Sequence, residues 1–205
     1  MRHAEERHAN TRRRREHARA SVLAALVTAT ALGVPAASGA EDERLDCEIV
    51  LHMPTGHAVA DAWIAQQVDM ANLEYGPAGV HFLVTRTVPL AATDAHMVTA
   101  EDYARTFSQS GREAIDLFLM DEIHTAEGRD LSGVGYSPDP VLAGFVALVS
   151  WAEPIALAHE LGHYFGLQHT QTETNLMWPE GGGAQLLPSQ IAAVRSRSRR
   201  LGCHE

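Results

Sequence analysis

The densest chemistry in the chain sits in eleven consecutive residues, His159-Glu160-Leu161-Gly162-His163-Tyr164-Phe165-Gly166-Leu167-Gln168-His169. Their pattern is H-E-x-x-H-x-x-G-x-x-H. On a helix, His159 and His163 lie one turn apart on the same face, so both imidazoles can hold one metal ion. Gly166 can take a positive φ and turn the chain sharply, which returns His169 as a third ligand where continued helix would carry it away. Three neutral imidazoles leave one zinc position open, the arrangement of a catalytic rather than a structural site. Glu160 directly follows the first ligand and can reach a water there as general base. The surrounding Ile155, Leu157, Leu161, Phe165 and Leu167 suit a buried helix. Two bland alternatives exist in a chain with 12 histidines: an exposed polar helix, or an apolar-core helix that binds no metal. Coincidence of five specified positions is rare, which favours the metal.

On these residues the sequence resembles the metzincin clan of zinc endopeptidases, whose extended motif is followed by a Met-turn. Here Asn175-Leu176-Met177-Trp178-Pro179 follows, with Met177 eight positions after His169. That interval is similar to the matrixin type, and secreted bacterial relatives and pappalysin-like families share the layout. The resemblance implies an α/β (α+β) domain: a mixed, mostly parallel sheet, an active-site helix and the Met-turn. It implies one catalytic zinc on His159, His163 and His169, Glu160 as base, Met177 as a hydrophobic floor, and a protein or peptide substrate. It further implies a substrate-binding edge strand at Gly133–Pro138, including Gly135 and Tyr136, with Trp178 and Pro179 in the wall of the pocket after the scissile bond. The chain departs from astacin-like and serralysin-like members in having no Tyr where they supply a fifth ligand; Tyr164, inside the motif, reads as packing. The rival reading is a non-enzymatic, zinc-stabilised binding domain of the cell surface. A purely structural site has no use for a base at Glu160.

Elements able to position these residues can be read upstream and downstream. Cys47–Met53 is an apolar strand, broken by Pro54-Thr55-Gly56. Residues 57–74 read as a helix with Val59, Trp63, Met70 and Leu73 inward, ended by Gly76-Pro77. Val80–Val88 is a strand and Glu101–Ser110 a short helix. Ala114–Met120 and Phe145–Ser150 are buried strands. By composition, residues 121–139 form a loop rich in Gly and Pro. Pro154 opens the motif helix, Gly166 stops it, and Pro188–Arg200 is a last helix. Alternating strands and helices with no repeat predict one domain over residues 41–205.

Residues 1–40 read as a secretory signal: the basic run Arg12–Arg15, an apolar stretch near Val22–Val34, then Ser38 and Ala40 before the cleavage point. The expected location is therefore extracytoplasmic, secreted or periplasmic, with no lasting membrane span. Beyond residue 40 the chain holds 9 basic and 23 acidic residues, a net charge of −14, and no lysine occurs anywhere. Such a surface repels phosphate backbones and excludes a general nucleic-acid binder. A monomer is expected. Outside the cytosol, Cys47 and Cys203 are expected to pair as a disulfide. Asp121, Glu122, His124, Glu127 and Asp130 form an acidic loop that is either solvated or a structural site for calcium or a second zinc.

Overall fold

The computed structural model describes residues 44–205, except 57, 58, 60, 112 and 138–143. The expected signal segment and its cleavage point lie outside the described residues.

Five strands form the main sheet in the order β2-β1-β4-β7-β6. They are β1 (Leu45–Pro54), β2 (Val80–Leu90), β4 (Ile115–Met120), β6 (Gly133–Tyr136) and β7 (Phe145–Val149). All neighbours are parallel except β6, which runs antiparallel to β7. The sheet is mixed and mostly parallel, as expected. Its centre is covered on both faces: every residue of β4 and β7 is buried, matching sequences that are apolar apart from Asp116. The one charge in β4, Asp116, is satisfied by His52 of β1, whose Nε2 lies 2.6 Å from Oδ1.

Helix α1 (Asp61–Tyr75) and the motif helix α3 (Ala156–Tyr164) pack together on one face. Two polar contacts set their register. The Tyr75 hydroxyl donates to the Ala158 carbonyl at 2.8 Å. Gln67 accepts from Leu157 N–H and donates to the Glu153 carbonyl, capping the start of α3. Helix α2 (Ala100–Gln109) and a two-stranded sheet of β3 (His96–Met97) and β5 (Glu122–Ile123) complete the upstream half. Consecutive strand residues point to opposite faces. Gly135 faces α3, while Tyr136 meets Phe107 of α2 on the other side. Helix α4 (Pro188–Arg200) ends the fold. Past it, Cys203 bridges to Cys47, and His204 exchanges backbone hydrogen bonds with Asp46.

Two expectations need correction. The inward face of α1 is Gln67, Ala71 and Tyr75, whereas Leu73 is 67% exposed and Val59 precedes the helix. Hydrogen bonding of Gln67 and Tyr75 to α3 decides the rotation of α1 over apolar content. Residues 121–139 are not loop throughout, as composition suggested: β5 lies within them, and β6 falls where the resemblance placed an edge strand, at Gly133–Tyr136.

Candidate metal centre and cleft

Helix α3 presents His159 and His163 on one face, and the chain leaves it as the motif predicts. Gly166 has φ 78°. Its N–H bonds to the His163 carbonyl, and Leu167 N–H reaches back to Gly162, closing the helix end. The turn returns His169, and the three rings converge. His169 Nε2 lies 3.3 Å from His159 Nε2 and 3.0 Å from His163 Nε2. Among the described residues, this is the group whose metal-binding atoms come together. The acidic loop does not form such a group: His124 contacts Asp130 at 3.1 Å and Glu122 at 3.6 Å as surface pairs.

Whether these residues suit a metal follows from their hydrogen bonds. His159 Nδ1 lies 2.7 Å from the Leu176 carbonyl, and His163 Nδ1 lies 2.9 Å from the Leu167 carbonyl. A carbonyl only accepts, so each Nδ1 carries the hydrogen and each Nε2 carries a lone pair. Both lone pairs face His169, which can donate to only one of them. A cation resolves the conflict. With Zn–N near 2.0–2.1 Å, two ligands of a tetrahedral site stand about 3.3 Å apart, which these spacings match. Burial also favours the uncharged rings: it holds His159 below its ordinary range and pushes His163 down to about 4, against the opposing carbonyl bonds. The residues therefore fit zinc, and the carbonyls orient two of the ligands.

Glu160 is buried beside the ligands. Burial pushes its carboxyl up to about 7, while a hydrogen bond from the Gly135 backbone pulls the other way. That bond links the motif helix to β6. Ser132 accepts from Val149 N–H at 3.0 Å, so the antiparallel alternation turns the N–H and C=O of Gly133 and Gly135 away from β7. β6 is an edge strand of the sheet, and its open side borders the cleft. Its glycines permit the close approach to α3. A Cβ on Gly133 would lie 2.9 Å from Glu160 Cγ, and one on Gly135 would collide with the Glu160 carbonyl.

Below the ligands, Met177 is fully buried and its sulfur packs against Gly162, where any side chain would clash. Leu176, beside it, supplies the carbonyl that orients His159. Asn175 holds this turn: its Oδ1 accepts from Met177 N–H, and its amide pairs reciprocally with Gln190 of α4. Sequence reasoning gave no separate role to Gly162 or Gln190, and named Gly133 and Asn175 only as members of the expected edge strand and methionine turn. A glycine in mid-helix was the one available signal among them. Tyr164 is buried packing, as expected, and burial pushes its hydroxyl up to about 12.

A cavity of about 420 Å³ contains the three histidines and Glu160. Gly133, Val134, Leu176 and Pro179 also line it. Of the expected substrate-binding residues, Pro179 borders this cavity and Gly135 bonds Glu160. Tyr136 instead lines a separate cavity with Tyr103, Phe107 and His124. Trp178 is half-buried and outside the lining of either.

No protein-family model matches the chain, and no curated protein matches it. Solved structures do resemble it. The chain superposes on metalloproteinase-II from Bacteroides fragilis with a TM-score of 0.52 and 16% identity, covering 77% of this chain and 55% of that one. It thus spans little more than half the length of that neighbour. Archaemetzincin from Methanopyrus kandleri gives a TM-score of 0.48 at 14% identity, covering 76% and 93%. The likeness to metalloproteinase-II is one of fold: a mixed, mostly parallel sheet packed against the helix that carries the histidine motif. Within it stands a three-histidine site suited to zinc.

Proposed function

We propose that the protein is a zinc-dependent endopeptidase. The observation that carries this reading is the convergence of three imidazole nitrogens with Glu160 buried beside them, next to the edge strand β6. His159, His163 and His169 would hold the metal. Zinc in such a site polarises a scissile carbonyl and lowers the pKa of water towards about 7. Glu160 takes the proton from the attacking water and delivers it to the departing amine. The outward groups of Gly133 and the outward carbonyl of Gly135 align the substrate backbone as an added strand. No covalent acyl-enzyme forms.

The eight-residue interval from His169 to Met177 supports a matrixin-like branch. The Cys47–Cys203 bridge supports an extracytoplasmic setting, and no helix of the described residues is long and apolar enough to cross a membrane. A non-enzymatic zinc domain would leave Glu160 and the open side of β6 without a task. The test is zinc content together with cleavage of a mixed peptide library. About one zinc per chain is expected in wild type and in Glu160→Ala. Chelator-sensitive cleavage is expected in wild type, with a loss of roughly 10²–10⁴-fold or more in the variant. Cleavage at an undiminished rate by Glu160→Ala would refute the mechanism.

A further inference from the structure

The cavity that contains the histidines extends well beyond them. Its helical wall runs back from His163 through Glu160, His159 and Ala156 to Ile155, and Glu153 borders it past the helix start. Glu153 precedes the first residue of α3, six positions before His159. Between them the walls are apolar, formed by Leu131, Val134, Ile155 and Leu176. Glu180, in the glycine-rich segment after the methionine turn, is a second acidic residue of the lining, and no arginine lines it. Neither Glu153 nor Glu180 forms an ion pair among the described residues.

We propose that this cavity receives an arginine or lysine side chain of the substrate, and that Glu153 and Glu180 determine this preference. The proposal rests on the reading of the site as a peptidase. A long aliphatic stem lies along apolar walls while its charged head reaches the carboxylates, which is how such side chains divide themselves between environments. A short side chain does not reach the two glutamates, and an acidic one meets like charge. The start of α3 contributes only about half a positive charge, which two carboxylates outweigh.

The position of the cavity also sets the direction. It borders the beginning of β6, at Leu131–Val134, whereas Tyr136 at the far end faces the other cavity. A peptide added antiparallel to β6, the more stable pairing, lays its later residues over the beginning of that strand. The basic residue therefore follows the scissile bond.

The test uses the full chain loaded with zinc and peptides that differ only in the residue after the scissile bond: Arg, Lys, Leu or Glu. The Arg and Lys peptides are expected to show the highest kcat/KM. Glu153→Gln combined with Glu180→Gln should lower the Arg-to-Leu ratio roughly tenfold. Glu180→Lys should shift preference towards the Glu peptide. Both positions are exposed, so circular dichroism and zinc content should match wild type. Chelator-sensitive cleavage without basic preference, or with a preference that the double variant keeps, overturns this inference while the peptidase reading stands. Failure of wild type to cleave any peptide defeats the peptidase reading and this proposal with it.

Discussion

A methyl group at position 135 would fall on the Glu160 carbonyl and 2.8 Å from His163 Cβ. Gly135 is therefore where strand and helix meet closely enough for the strand's N–H to reach the Glu160 carboxylate. Gly135→Ala must displace one of them. It should cost about 1–3 kcal/mol of stability, as overpacking does. It should also lower kcat/KM while zinc stays near one per chain; urea unfolding and peptide cleavage measure the two effects. Wild-type kcat/KM in this variant would show that β6 does not need its present alignment. The ligands and Glu160 were legible as residues because their spacing is itself the mechanism. Gly135 was expected only as part of a substrate-binding strand; its contact with α3 was not legible, since one glycine in a glycine-containing stretch looks like another until the facing helix is known.

At the scale of elements, α2 shows local chemistry acting alone. Thr99 accepts from Asp102 N–H at 3.2 Å, and Asp102 accepts from Thr99 N–H at 2.8 Å, a reciprocal cap. These bonds from Thr99, backbone first, push the Asp102 carboxyl down to about 2. Its value in the folded state is below the unfolded one, so the stabilisation is present at neutral pH and fades as pH falls from about 4 towards 2. Amide exchange in α2 should accelerate through that window relative to neighbouring elements. Asp102→Asn should open α2 more readily at pH 7 and remove the acid dependence; an unchanged acid response would refute the assignment. Long apolar strands and the three later helices were legible because period and capping are local. The inward face of α1 was not, because Gln67 and Tyr75 seek partners on α3, 83 or more residues away.

For the whole molecule, the Cys47–Cys203 disulfide joins positions 156 residues apart, tying the first strand to the end of the chain. Closing so long a loop restricts the unfolded chain by roughly 4–5 kcal/mol. The pair of changes Cys47→Ser and Cys203→Ser should therefore lower Tm by about 8–20 °C for a domain of this size. Zinc stoichiometry at 25 °C should persist, because the bridge lies among β1 and the C-terminal residues, apart from the metal centre. A Tm within about 2 °C of wild type would show that the bridge adds little beyond the hydrogen bonds between Asp46 and His204.

The sequence alone pointed to the three histidines as candidate metal ligands and Glu160 as candidate base, to the helix that carries them and to the glycine that turns the third histidine inward. All of these lie within eleven residues, where helical geometry is enough to predict who meets whom. It also determined the methionine turn and the alternation of strands and helices. Tertiary structure decided how β6 pairs with β7, which glycines face α3, and that Tyr136 lines a different cavity. It also decided that Glu153 and Glu180, 27 positions apart, line one cavity. These depend on pairings between distant segments, and a sheet edge is defined by the strand that is not beside it.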